Sequence, residues 1–245
     1  METDIYKMFK ELQFKSWWFN GRRKVIESFM KSNVHDHNLK ILDIGSGYGG
    51  LLPVLTNFGS VDVIEPYEQA HADLFKLGAQ NIYKIADFPA SYPKKKYDMV
   101  TLFDVLEHIE NDVLCLKVVK EDLLESKGMC FITVPAYMWM WGSIDEMGGH
   151  LRRYVKKSLL KIMLEAGFHN IRISYFQNLL FPYELMLEAS LKLKLRKLDI
   201  EKIAVDYPLN PMINKILESI FSFESRLIPR INFQWGTSLI AKGEV

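Results

Sequence analysis

Cysteine is scarce in this chain. Cys115 and Cys130 are the only two in 245 residues, one in a helical pattern and the other in a strand pattern, so buried reduced thiols are expected rather than a disulfide or a thiolate metal site. Long apolar runs are missing too: no stretch is uncharged and predominantly apolar over the roughly 20 residues that span a bilayer. Met1-Glu2-Thr3-Asp4 carries charge where a secretory leader has an apolar core, and a cytoplasmic location is the expectation. Net charge is nearly absent, with 31 basic against 30 acidic residues, which gives nucleic acid no general electrostatic attraction. There is no internal repeat, low-complexity tract or clear linker. What remains is a globular chain long enough to bury a substantial core.

What is present is alternation. The pattern predicts strands at Ile41 to Ile44, Val61 to Glu65, Asn81 to Ala86, Tyr97 to Phe103 and Met129 to Val134. Between them it predicts helices at Leu51 to Asn57, Tyr67 to Leu77 and Val113 to Leu124. A helix over Lys156 to Glu165, strands at Asn170 to Phe176 and Thr237 to Ala241, and a helix from Pro211 to about Ile228 follow. Such βαβ order implies an α/β, doubly wound, Rossmann-like sheet whose ligands sit at the carboxyl ends of the strands. One domain is expected, divided into a helical cover (1–38), a cofactor-binding core (39–134) and a region of substrate loop, helical insertion and final strands (135–245). The aromatic cover reads as two helices around Gly21-Arg22-Arg23-Lys24, the second at Val25 to Met30. In it Trp17 or Trp18 is a candidate cavity wall, and Arg22 or Arg23 a candidate partner for a carboxylate.

The chain is organised around Leu42-Asp43-Ile44-Gly45-Ser46-Gly47-Tyr48-Gly49-Gly50, a strand turning into a helix through glycines. Gly45, Gly47 and Gly50 satisfy GxGxxG, so a dinucleotide has to be considered. Asp43 argues against it: an acid just before the glycines repels a pyrophosphate but suits a cofactor with a sulfonium and an amino group, as in S-adenosylmethionine. Glu65 ends the second strand, where it can accept from ribose hydroxyls. Asp87 follows the third, where it can accept from an adenine amine while Phe88 packs near the ring. Phe103-Asp104 ends the fourth, facing the methyl end.

With Val63-Ile64-Glu65-Pro66, Ala86-Asp87-Phe88 and Phe103-Asp104-Val105-Leu106-Glu107-His108-Ile109, the glycine segment resembles the successive motifs of class I S-adenosylmethionine-dependent methyltransferases. Trp17-Trp18-Phe19, Gly21-Arg22-Arg23, Val134-Pro135-Ala136-Tyr137, Gly149-His150-Leu151-Arg152-Arg153-Tyr154 and Trp235-Gly236-Thr237-Ser238-Leu239 resemble a small-molecule branch found with bacterial surface-polysaccharide genes. The resemblance implies a seven-stranded, mostly parallel sheet with an antiparallel last strand. It also implies a cofactor held by Asp43, Gly45, Ser46, Gly47, Gly49, Glu65, Pro66, Asp87, Phe88, Phe103 and Asp104, with Trp18 and Arg23 from the cover. The acceptor is expected above strands four and five, near Tyr137, Arg152, Arg153 and Tyr154.

Methyl transfer is an in-line displacement, so collinear positioning supplies most of the catalysis. A hydroxyl or amine acceptor also loses a proton and calls for a base, whereas an anionic oxygen needs none. His150 is the leading candidate, with Asp145 to orient it and Arg152 and Arg153 to hold an anionic acceptor; His108 is the second. Asp104, Glu107 and His108 form the spacing of some metal-dependent methyltransferases, but three groups alone leave a site underligated and no metal is expected. The expected reaction is O-methylation of a small-molecule or glycan acceptor in polysaccharide (capsule or O-antigen) biosynthesis. N-methylation of an amino sugar, or a binding protein that keeps the fold, stand as alternatives. The apolar-then-basic stretch 178–197 is read as a buried or homodimer-forming helix, with a peripheral membrane contact as the other option.

Overall fold

The computed structural model describes residues 10–183, 185–186 and 210–245, and its strands form one seven-stranded sheet. These are β1 (Leu39–Ile44), β2 (Gly59–Ile64), β3 (Ala79–Tyr83), β4 (Tyr97–Phe103), β5 (Leu124–Pro135), β6 (His169–Phe176) and β7 (Ser238–Glu244). Their spatial order is β3-β2-β1-β4-β5-β7-β6. The first five pair in parallel, and β7 runs antiparallel between β5 and β6. This is the doubly wound, Rossmann-like arrangement the sequence implies, with its antiparallel last strand. The order reverses between β1 and β4, and the crevice beyond their carboxyl ends is where such sheets take ligands.

The central strands read as near-continuous apolar runs because both faces are covered. Successive side chains go to opposite sides: Ile41, Met99 and Phe131 join one core with Phe29 and Phe221, while Leu42, Val100, Cys130 and Ile132 join the other with Leu116 and Leu159. Cys115 and Cys130 are both buried and unpaired, and burial pushes both thiols up, which makes them inert.

The helices around the sheet include α1 (Trp17–Lys31), α2 (Leu52–Leu55), α3 (His71–Lys76), α4 (Asp112–Val118), α5 (Ser143–Gly148), α6 (Lys156–Glu165) and α7 (Pro211–Leu227). α1 is capped by Ser16, whose hydroxyl accepts from Trp18 N, and runs unbroken through Gly21, where the sequence suggests two helices. The reason is α7: a Cβ on Gly21 would lie 2.5 Å from Phe221 Cδ1, so the glycine lets the two helices touch. Trp17 N donates to Asn214, Asn20 and Lys24 reach Glu218, and Ser28 donates to Ser225 O, so the helices run parallel and α7 presses the cover onto the sheet.

Two more elements depart from expectation. The helix predicted over Val113 to Leu124 ends as α4 at Val118 and passes through a π turn into a β5 that begins at Leu124. The connection after Pro135 contains α5, closed by Gly149 at φ +70°. Most of the 178–197 stretch lies outside the described residues.

Candidate active site

β1 brings Asp43 to the crevice on the same side as Thr101 of β4, its register partner. The carboxylate is 4% exposed and accepts from Thr101 Oγ1 at 2.5 Å and Ser46 Oγ at 2.6 Å. Burial raises it from 3.8 to about 6 against the opposing pull of the two hydroxyls. The turn that follows needs glycine twice over. Gly45 has φ +72°, and a Cβ there would lie 2.6 Å from Val105 Cγ2. Gly47, at φ +54°, aims its N–H back at Glu65 Oε2, 2.6 Å away.

Glu65 itself is buried and accepts from Tyr67 N at 2.8 Å with its other oxygen. Burial pushes its carboxyl up and the two N–H donors pull it back. Each oxygen keeps a further lone pair for a ligand hydroxyl.

The cover closes over this turn. Arg23 donates from Nε to Gly50 O at 2.8 Å, from Nη1 to Asn20 at 3.0 Å and from Nη2 to Gln13 O, so it staples α1 to the glycine segment. Arg22 is the deeper of the pair. Its Nη2 donates to Thr133 Oγ1 at 2.7 Å and to Asp104, and its guanidinium lies 5.0 Å from the Trp18 ring and 5.1 Å from Phe176. Trp18 Nε1 donates to Gln177. Together these side chains bound a cleft of about 200 Å³ lined by Gln13, Trp18, Phe19, Arg22, Arg23, Asp43, Gly45, Ser46, Gly47, Tyr48, Gly50, Leu51, Phe103 and Asp104. Gly49, Glu65 and Pro66 are not among the lining residues, although Glu65 is tied to the turn through Gly47 N. Asp87 is exposed and accepts from Ser91, and Phe88 packs on the second core; neither lines the cleft.

The loop after β5 folds back on itself through a bridge between Ala136 and Tyr154. Tyr137, at φ +60°, stacks on Trp139 and Tyr175, and burial beside Tyr175 pushes its phenol up to about 12. Asp145 is the hub. One oxygen accepts from Arg153 Nε at 2.7 Å and faces His150 Nδ1 at 2.8 Å, and the other accepts from Arg153 Nη2 at 2.7 Å and Gly142 N at 2.9 Å. These donors hold its carboxyl well below the usual range despite burial. Arg153 is therefore bound to the loop. Arg152 pairs with Asp112 at 3.1 Å and Glu110 O at 2.8 Å, and the buried Tyr154 hydroxyl donates to Asp112. The His108 and His150 rings meet edge to face at 4.8 Å, and burial, then the charge of His150, lowers His108.

Thr101, Thr133 and Gln13 bond to Asp43, Arg22 and Tyr48 O of the cleft, and the sequence reading does not single them out. The two threonines had a signal: each is a hydroxyl inside an otherwise apolar central strand.

A model of the family described as "methyltransferase domain" matches residues 9–173. The chain belongs to that family. Its glycine turn, Asp43 and Glu65 all fall within the matched region. A ubiquinone biosynthesis O-methyltransferase of Bartonella quintana is 27% identical over 127 residues, which cover 49% of this chain and 51% of that protein. The chain thus spans about half the length of the curated relative it matches. A crystal structure of a SAM-dependent methyltransferase from Archaeoglobus fulgidus has the same fold, with a TM-score of 0.54, 16% identity, and 91% and 94% of the two chains covered. Phosphoethanolamine N-methyltransferase 2 of Haemonchus contortus, in complex with S-adenosyl-L-methionine, gives a TM-score of 0.56 at 17% identity over 99% of this chain and 57% of that one.

Proposed function

We propose that this chain transfers the methyl group of S-adenosylmethionine to an oxygen of a small, carbohydrate-type acceptor. The observation that carries the reading is Asp43. It is a buried acid whose recorded partners are two hydroxyls and whose side chain lines the cleft at the glycine turn. A site of that charge favours a cationic ligand and disfavours a pyrophosphate. In this reading the amino end and sulfonium lie toward Asp43, and the ribose hydroxyls use the spare lone pairs of Glu65 beside Gly47. Trp18 and Phe19 wall the cleft, and the Arg22–Asp104 pair marks its methyl end.

Catalysis is then chiefly alignment of nucleophile, methyl carbon and sulfur. A neutral hydroxyl must also give up its proton, and His150 is the residue prepared for it. Asp145 accepts only, so Nδ1 carries the hydrogen, and in the neutral ring Nε2 keeps the lone pair. Loss of such a base costs about 10²–10⁴-fold in turnover. The name of the Bartonella relative supports oxygen as the acceptor atom. A role in bacterial surface-polysaccharide biosynthesis rests on the resemblance of the Trp17–Phe19, Gly149–Tyr154 and Trp235–Leu239 segments. A cytoplasmic location accords with the described residues, among which no helix is long and apolar enough to cross a membrane.

The test is transfer of isotopically labelled methyl from S-adenosylmethionine to a panel of sugars and nucleotide sugars, with product analysis to locate the methyl group. Label on a sugar oxygen supports the reading. Label on an amino-sugar nitrogen overturns its acceptor atom, and binding of NAD without S-adenosylhomocysteine overturns the whole.

A further inference from the structure

Glu107 is fully buried, and neither of its carboxylate oxygens finds a hydrogen-bond donor on another described residue. A buried acid left this way is costly, because it loses water and gains no partner. Two imidazoles stand against it. His150 Nε2 lies 4.0 Å from Glu107 Oε1, and one ligand atom from each of Glu107, His108 and His150 lies within 4.8 Å of the others. Both rings have their tautomers set. Nδ1 of His150 faces the Asp145 carboxylate at 2.8 Å and Nδ1 of His108 faces the Gly149 carbonyl at 3.3 Å. Both oxygens accept only, so each Nδ1 is the donor, and in the neutral ring each Nε2 carries the lone pair. Gly148 keeps the space open: a Cβ there would lie 3.1 Å from His150 Nε2.

We infer that Glu107, His108 and His150 form the binding site of one divalent transition-metal ion, of the zinc, cobalt or manganese kind. The donor set decides the class, since two imidazole nitrogens and a carboxylate suit these ions, whereas magnesium and calcium seek oxygen. Asp145 behind His150 is the outer carboxylate that fixes the ring of a metal-ligating histidine. Ligands about 2.1 Å from a common ion stand at most about 4.2 Å apart, so the triad has to close only slightly. Three protein ligands leave a position open. Asp104, which lines the cleft, stands at the end of β4 three residues before Glu107, so the cluster adjoins the cleft. Resting on the methyl-transfer reading, that open position takes the acceptor hydroxyl. The ion then lowers the hydroxyl's pKa, the proton leaves to solvent, and the ion does the work otherwise asked of His150 Nε2.

The test uses the full chain stripped with a chelator and titrated with Co²⁺, followed by visible absorption, with S-adenosylhomocysteine binding measured by calorimetry on the same samples. Saturation at one equivalent with the intense bands of a low-coordinate site is expected. Glu107→Gln and His150→Ala each abolish the saturable signal, and Asp145→Asn weakens it about 10–100-fold. A wild-type spectrum no different from the aqueous ion overturns the site, as does a saturable signal that survives both ligand substitutions. S-adenosylhomocysteine binding without Co²⁺ binding removes the metal and leaves the methyl-transfer reading standing. Co²⁺ binding without S-adenosylhomocysteine binding does the reverse.

Discussion

Asp145 grips Arg153 through both of its oxygens, at 2.7 Å each, while one of them also faces His150 Nδ1 at 2.8 Å. A single buried carboxylate thus fixes the loop and sets the tautomer of the histidine at its end. Removing one partner of a buried, hydrogen-bonded ion pair costs about 3 kcal/mol, so Asp145→Ala should lower the melting temperature by about 6–12 °C for a chain of this size. The pair's partners hold the carboxyl below its ordinary 3.8. Its contribution is therefore complete above pH 3.8 and disappears only as the pH falls below that value. Thermal melts of wild type and variant should differ equally at pH 6 and 8, and a difference that vanishes by pH 6 would contradict the assignment.

Asp43 predicts the opposite sign. Its folded-state value is raised from 3.8 to about 6, so its stabilising contribution is greatest below 3.8 and is lost as pH rises through 6. At neutral pH the empty protein carries a cost on the order of 3 kcal/mol. Asp43→Asn should therefore melt higher than wild type at pH 7.5 without ligand, by several degrees, while binding S-adenosylmethionine far more weakly. A variant that melts lower at pH 7.5 and binds as well as wild type would show that the carboxylate serves packing alone.

The sheet was legible because its evidence is local: apolar strand runs, helix stops and the glycine turn at Gly45 and Gly47 are written in consecutive residues. The acids proposed for the cofactor were legible as strand-end residues for the same reason, since consecutive residues put Asp43, Glu65 and Asp104 at or just past the ends of β1, β2 and β4. Other relationships depend on distant pairs. Nothing near Gly21 announces Phe221, so the break suggested in the cover became one helix. Nothing in the loop tells that Arg152 and Arg153 turn to Asp112 and Asp145. Glu107 shows the limit most clearly: grouped in sequence with Asp104 and His108 it looks underligated, whereas the fold pairs Asp104 with Arg22 and brings His150 to Glu107 from the far end of the loop.

Gly21→Ala tests how the cover is held. Its methyl would meet Phe221 at 2.5 Å, and overpacking of this kind costs about 1–3 kcal/mol. The variant should melt lower, and since α1 also carries Trp18, Arg22 and Arg23, its affinity for S-adenosylhomocysteine should fall as well. A smaller residue at position 221, as in Phe221→Leu, should restore part of both. Unchanged melting in Gly21→Ala would contradict the close contact.

Glu65→Gln removes the charge that receives the N–H groups of Gly47 and Tyr67 at 2.6 and 2.8 Å. Hydrogen bonds to a charged group contribute about 1.5–3 kcal/mol, so affinity for S-adenosylhomocysteine should drop about 10–100-fold. Equal affinity in titration calorimetry would place the ribose elsewhere.

The most direct measurement is calorimetric titration of the purified chain with S-adenosylhomocysteine and, separately, with NAD, repeated on Asp43→Asn. Binding of S-adenosylhomocysteine at one equivalent, lost or much weakened in the variant, with no heat from NAD, is the predicted result. Binding of NAD without S-adenosylhomocysteine would contradict it.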